Sequence, residues 1–592
     1  MKNLFRLGAL CVALAFPVSS VLAQTAAAPA SKSQHAASRQ MQQLQKDYLD
    51  ALWRAQPDTA IWAGKFDHAA QQMIPDAAQR KRDLAFARSW LARFDQVNAA
   101  ALPAAAQVDL ALIQNQLHSE IWHLQENDEY RWNPSDYNLG WSLDKMLNTP
   151  YAPLEKRLQD ISLRLAKAPA YYRAARANLH NPTPEHTELA IQQSSGVLQV
   201  FAEIGKQAKT AKLDAAASSL LQQRLAAARD ALQDYTLSLR VLLARGEAKR
   251  SFRIGKEVYE KRFVRQIQSG LTGEETYQRA LAAKEQMLTR MEKISDELWP
   301  KYMAGRDKPA QREAKIGLLI DELSKRHSKP ENFVEDVRAQ LPELTRWVLE
   351  KNLLGADASK PLQVRETPLY QRGVTTASIE APGPFRPQDP TYYNVSPLTD
   401  LPPEQAESWL REYNYWILQI LNIHEAIPGH YTQLVYANKS PSLIKTLFGN
   451  GTMIEGWAVY GELMMMESGY GGNTPEMWLM YSKWNLRAIC NTILDYSVHV
   501  LGMTREQALD LLQRQAFQSE AEALGKWRRV QLTSVQLASY YSGFSAIHAL
   551  REERRKSLGE RFDLKQFHEE FLSYGSAPVP MIARLMREKA VK

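Results

Sequence analysis

Met41-Gln42-Gln43-Leu44-Gln45-Lys46-Asp47-Tyr48-Leu49-Asp50-Ala51-Leu52 sets the fold class. Its apolar residues Met41, Leu44, Tyr48 and Leu52 recur at three- and four-residue steps, the period of one face of an amphipathic helix. The same period predicts helices over 80–94, 104–124, 154–177 and 213–245, and a further long one over 274–303. Pro169 is expected to kink or split the helix over 154–177, and Gly246 to stop the one before it. Prolines at 150, 153, 182 and 184 punctuate the run, and no repeat of fixed period is present. Gly (27) and Pro (29) are modest for 592 residues, which fits a mainly α chain with a sizeable core.

Two features organise the helices. Ile254-Gly255-Lys256-Glu257-Val258-Tyr259 follows a break in the pattern and starts a second lobe. Residues 357–404 are rich in proline, and Val374–Glu380 alternates as a strand does, so one or two short strands are predicted there. Helix resumes at Pro403–Leu421. The expected plan is a multi-helix, two-lobed fold with a deep cleft: an N-terminal lobe over 38–250 and a second lobe over 251–592.

The N-terminus reads as an address. Lys2 and Arg6 precede an apolar run from Leu7 to Phe16, and Val21-Leu22-Ala23 places small residues before Gln24. Residues 1–23 are therefore expected to be a cleaved secretory signal, 24–37 a flexible linker, and Gln24 the mature N-terminus in the periplasm or outside the cell. Cys11 lies mid-run rather than after it, which fits release better than a lipid-anchored cysteine. Cleavage would lower the formal charge from +8 to +6. The basic residues are interspersed with acids, so a nucleic-acid partner is not expected. No mature segment offers the ~20 consecutive apolar residues of a membrane span. Cys490 would be the sole remaining cysteine, in apolar surroundings, which excludes an intramolecular disulfide and a cysteine metal site.

The chemistry concentrates in Ile423-His424-Glu425-Ala426-Ile427-Pro428-Gly429-His430, at the end of the apolar helix. Zinc takes imidazole nitrogens and carboxylate oxygens, and a glutamate beside a ligand histidine can deprotonate an attacking water. The usual H-E-x-x-H spacing is not kept. His424 and His430 are six apart, about 240° around a regular helix, and Pro428 stands at the i+4 position. Either Pro428-Gly429 forms a bulge that brings His430 back to the metal, or His430 is no ligand. Glu455, 25 residues beyond His430 in Ile454-Glu455-Gly456-Trp457, has room for a turn and a return helix, where a third ligand belongs. Glu462, seven further on, lies on the same helix face and is either a partner orienting a ligand histidine or a surface carboxylate.

The stretches His424–Gln433 and Glu455–Glu462 resemble the paired signatures of the bacterial family called domain of unknown function 885. Arg487–His499, Ser539–Gly543 and Phe562–Gly575 extend the resemblance over most of the mature chain. The family is in turn similar to the zincin superfamily, with an all-helical architecture like angiotensin-converting enzyme and thimet oligopeptidase. The resemblance implies that His424, His430 and Glu455 hold one zinc ion and that Glu425 is the base, and the family shares the Pro-Gly insertion.

Other candidate site residues are less sharply marked. Tyr540 is expected to be an oxyanion donor and Tyr541 to contact substrate; two core tyrosines are the competing reading. His499, one turn from Asp495, is a candidate catalytic histidine, while His568 reads as structural. Tyr393, upstream of the metal helix, is placed on a strand edge that binds an extended peptide. Arg487 is a candidate for a substrate carboxylate, or a helix salt-bridge residue. The function expected is an exported zinc metallopeptidase acting on short peptides as a carboxypeptidase or oligopeptidase. The alternatives are a zinc amidase or esterase on a non-peptide metabolite, and a helical binding protein without catalysis.

Overall fold

The computed structural model describes residues 32–357, 360–368 and 377–590, and these are mainly helical with one small sheet. The expected signal and residues 24–31 lie outside them. The remainder of the expected linker is helix, because the first helix, Lys32–Ala55, begins six residues earlier than the sequence period suggested.

Apolar periodicity places the helices as expected. Met41, Tyr48 and Leu52 are buried, and the Tyr48 ring meets Trp90 and Phe94 edge-on at 5.4 and 5.5 Å. Each such buried side chain contributes roughly 1.5–3 kcal/mol relative to exposure. The helix Ala77–Asp95 is capped by Asp76, whose carboxylate accepts from Gln79 N at 2.7 Å. The segment 154–177 is two helices, Leu154–Leu165 and Ala168–Asn178, with Pro169 in the first turn of the second, where a missing N–H costs nothing. The long helices Ala215–Ala244 and Gly273–Tyr302 match their expected spans within two residues, and the second opens on a Thr272/Glu275 capping box.

The hydrophobic packing does not divide at 250. The first helices, including Lys32–Ala55 and Ala104–Trp122, share one large core with elements from Ala280 to Met586. A second core runs from Tyr137 to Leu239 with Ile61 and Ala69. A third, small one joins Tyr259, Phe263 and Ile267 of the helix Gly255–Ile267 to Tyr496, Val535 and Ala538. Cys490 is a free, fully buried residue inside the large core.

Three strands rather than one or two form the sheet: β1 (Leu362–Glu366), β2 (Ala377–Glu380) and β3 (Thr391–Val395). Residues 374–376 of the expected strand lie outside the described residues. The order is β1-β3-β2, with β1 parallel and β2 antiparallel to β3. Because β3 is paired on both sides, Tyr393 is not on a free edge. Its ring is fully buried, and its hydroxyl donates to Asn422 Oδ1 at 2.9 Å. Tyr393 therefore props the helix that carries His424.

The expected continuous helix over 403–421 is also two. Pro403–Glu412 ends, and Asn414 caps a new helix, Tyr415–Glu425, by accepting from Trp416 N and Ile417 N at 3.2 and 3.3 Å. Among the described residues, no helix is long and apolar enough to cross a membrane.

Candidate metal centre and its chamber

The helix Tyr415–Glu425 is buried along most of its length, and His424 and Glu425 are its last two residues. Pro428 has no N–H to continue it. The chain turns through a cis Ile427–Pro428 peptide and a second helix, His430–Ala437, starts at His430. The expected bulge is thus a full break. Gly429 is required in it: its backbone lies against the carbonyls of Ile423 and His424, where any Cβ would collide, and its N–H donates to Ile423 O at 2.9 Å. Trp457 Nε1 fixes the turn by donating to Pro428 O at 2.9 Å.

The break brings the two imidazoles together, with ring centroids 4.8 Å apart and planes at 88°. The helix Gly451–Glu467 crosses beneath and supplies Glu455. Glu455 Oε2 lies 3.4 Å from His430 Nε2 and 3.9 Å from His424 Nε2, and it accepts no hydrogen bond. On its other side, the His424 ring donates from Nδ1 to Glu462 Oε1 at 2.6 Å, and Trp484 Nε1 donates to the same oxygen at 2.9 Å. That bond fixes the tautomer and leaves Nε2 with its lone pair facing Glu455.

These residues fit a zinc ion. Donors at ~2.1 Å from one tetrahedral centre stand roughly 3.4 Å apart, close to the two separations that Glu455 makes. His424, Glu425 and His430 also offer donor atoms within 4.8 Å of one another. Burial, then His430, pushes His424 down to about 3, so it is neutral at pH 7, the form that binds metal. Burial is the largest influence on Glu455 and would raise it, but the neighbouring His430, His424 and Arg529 together hold it below the usual range. Burial pushes Glu425 up to about 7. The acid held ionised between two imidazoles suits a ligand, and the acid poised near neutrality suits a proton carrier.

The helix Ser539–Leu558 completes the floor. Gly456 and Gly543 meet where it crosses the helix Gly451–Glu467, and a Cβ on either glycine would collide with backbone of the other helix. This backbone-to-backbone approach brings Tyr540 to the site, with its ring 6.4 Å from His424 and nearly parallel to it. Arg529 Nη2 donates to Tyr540 Oη at 3.0 Å and to Gln536 Oε1 at 2.8 Å. Sequence reading missed Arg529. Its one signal was a cation in Lys526-Trp527-Arg528-Arg529, which is indistinguishable from a solvated helix face.

Three other expected site residues have partners of their own. Tyr541, one residue from Tyr540, points about 100° away on the helix and donates to Arg279 O at 3.2 Å. His499 is buried, and Nε2 donates to Val530 O and Thr533 O, both at 2.9 Å. It ties down the C-terminus of the helix Glu520–Leu532, which carries Arg529, and it meets no reacting group. Asp495 acts beside it by accepting from Val535 N at 3.1 Å. Arg487 is held by Glu522 through Nη2 at 2.6 Å and stacks on Trp484, while its Nη1 is buried without a hydrogen-bond partner among the described residues.

A chamber of about 640 Å³ opens from Glu455 between the helix Ala104–Trp122, the helix Gly255–Ile267 and the segment 532–539. That volume is within the range of small-ligand sites.

A mainly helical body with a His-His-Glu cluster, His424 buried and His430 and Glu455 half-buried, above a chamber describes the class of structure to which the chain belongs. Its family follows from sequence: a model of bacterial proteins of unknown function, DUF885, matches residues 57–586, and the chain is a member of that family. No curated protein matches it. Among solved structures it is similar to a presumed lipoprotein of unknown function from Shewanella oneidensis. The two are 49% identical with a TM-score of 0.83, over 92% of this chain and 99% of that one. It also shares its fold with a presumed lipoprotein from Colwellia psychrerythraea, at 19% identity and a TM-score of 0.75, over 93% and 99%.

Proposed function

We propose that this protein is an exported zinc-dependent hydrolase of short peptides, related to the helical zincins. The observation that carries the reading is the convergence of His424, His430 and the unpartnered oxygen of Glu455, with Glu425 beside them. A bound zinc ion supplies Lewis acidity, which makes water easier to deprotonate and a carbonyl easier to attack.

The chain's own groups do the rest. Glu425 accepts the proton of the attacking water and passes it to the departing amine, a role that an acid near neutrality can fill in both directions. Tyr540 donates from its hydroxyl to the oxygen that gains charge, and Arg529 holds that hydroxyl in place while adding positive charge. Glu462 keeps His424 oriented. The chamber holds the substrate on the Glu455 side.

Export is supported by the pattern of residues 1–23 and by the description of the Shewanella relative as a presumed lipoprotein. A native N-terminus at Gln24 supports it; recovery of Met1 from cell envelopes removes it. The hydrolytic reading is tested with zinc-loaded protein on a panel of unblocked and end-blocked peptides. Cleavage that falls about 1,000-fold or more in Glu425→Gln, at unchanged zinc content, is expected. Wild-type rates in that variant would take Glu425 out of the mechanism.

A further inference from the structure

The chamber beside Glu455 has a cationic wall that the hydrolytic chemistry does not use. Arg262 and Arg265 stand one turn apart on the helix Gly255–Ile267, and both line the chamber together with Glu455. Their guanidinium groups lie over the Trp122 ring, 5.7 and 5.3 Å from its centre.

The two arginines differ in how they are matched. Arg262 is buried; it donates to Ser534 Oγ at 2.6 Å and to Glu129 Oε2 at 3.3 Å. Arg265 donates from Nη1 to its own helix, at Lys261 O, 2.7 Å away. It makes no ion pair among the described residues, and its nearby acid Glu126 is held by Lys261 at 2.8 Å. The Nε atoms of both arginines are buried without a hydrogen-bond partner among the described residues. These two Nε atoms are closed off from solvent, so what Arg265 offers an acceptor is the part of its guanidinium group that lines the chamber.

The wall also limits the charge of that acceptor. Glu129 offsets Arg262, and Glu120 lines the same space, its carboxyl raised above the usual range by burial and then by Asp83. Arg265 is thus the guanidinium of this wall without an ion pair among the described residues, and one such group matches a single carboxylate. Arginine's planar fork suits a carboxylate bidentately.

We propose that Arg265, backed by Arg262, binds a carboxylate of the substrate in this chamber, so that the peptides taken are those with a free carboxylate on the Glu455 side of the reacting carbonyl. The inference rests on the hydrolytic reading of the site, but binding tests it separately from turnover. The carboxylate is a peptide's C-terminus or an acidic side chain, and three probes separate these sources: N-acetyl-tetraalanine, its C-terminal amide, and the amide with glutamate in the last position.

Binding is measured by calorimetry on full-length, zinc-loaded Glu425→Gln protein. The acid is expected to bind about 10- to 100-fold more tightly than the alanine amide, the scale of one charge-assisted contact. Arg265→Gln should abolish that preference, and Arg265→Lys should keep part of it. Thermal melting checks that each variant folds, and if the glutamine variant does not, the lysine variant's tenfold or smaller loss on the acid alone is the test. A glutamate amide equal to the acid assigns the pocket to side-chain carboxylates; a weak one assigns it to the terminus. Equal binding of acid and amide, a preference that survives Arg265→Gln, or no binding by any probe overturns the inference. Wild-type turnover of the same acid is then followed: preference without turnover leaves this inference standing and overturns the hydrolytic reading, and turnover without preference does the reverse.

Discussion

Gly456 and Gly543 touch backbone to backbone, and this contact sets the distance between the helix that carries Glu455 and the helix that carries Tyr540. Neither glycine has a positive φ, so it is space and not dihedral freedom that requires them. Gly456→Ala is expected to destabilise the protein by ~2–3 kcal/mol or more, as overpacking does. It should also weaken zinc binding, because Glu455 moves with its helix. Urea unfolding and metal analysis of the purified variant check both. An alanine variant with unchanged stability would mean that the helices can separate at little cost.

Tyr540 and Tyr541 are neighbours with opposite roles. Tyr540→Phe removes the hydroxyl that Arg529 holds and should lower kcat by about 100-fold with little change in KM. Tyr541→Phe removes only a bond to Arg279 O and should leave both constants within about twofold. Steady-state kinetics on one cleaved peptide separate them; equal effects would contradict the assignment.

His568 gives a pH signature of its own. It is fully buried, donating from Nδ1 to Leu353 O at 2.9 Å and accepting at Nε2 from Tyr460 Oη at 2.7 Å. Burial, against the opposing pull of Leu353 O, pushes it down to about 4 from an ordinary 6.5. The unfolded chain therefore takes up this proton first. His568 costs nothing above pH 6.5, and stability falls as pH drops from 6.5 to 4, by ~3 kcal/mol in all. Denaturant unfolding from pH 4.5 to 7.5 should show that slope, and His568→Gln, though less stable at pH 7, should show a shallower one. A slope unchanged in the variant would rule His568 out as its source.

The fold class was legible because apolar period is a local property: Met41, Leu44, Tyr48 and Leu52 declare a helix without reference to the rest of the chain. Helix breaks were less so. Asn414 is a strong cap, but the surrounding apolar residues let the sequence read through it. The division of the cores was not legible, since nothing local tells whether Ala104–Trp122 packs on its neighbours or on residues some 300 positions later. In the site, His424, Glu425 and Glu455 stood out by residue type, the spacing left His430 open until the family resemblance implied it, and Glu462 was marked by its helical face; the structure brings these side chains together. Tyr393, His499, Tyr541 and Arg487 have partners that were not legible, because residue type says what a side chain can do, not which neighbours claim it. Val530 and Thr533 carbonyls claim His499, Arg279 O claims Tyr541, Glu522 claims Arg487, and Asn422 claims Tyr393. Arg529 and Arg265 lay in mixed-charge helices with nothing to set them apart.

The central claim is that His424, His430 and Glu455 together hold one metal ion despite the break between the two histidines. Zinc content of the purified full-length protein, measured by elemental analysis beside His424→Ala, His430→Ala and Glu455→Ala, tests it most directly. The account predicts about one zinc per wild-type chain and loss of most of it in all three variants alike, each variant still melting cooperatively. A His430→Ala protein that retains zinc and activity would contradict it.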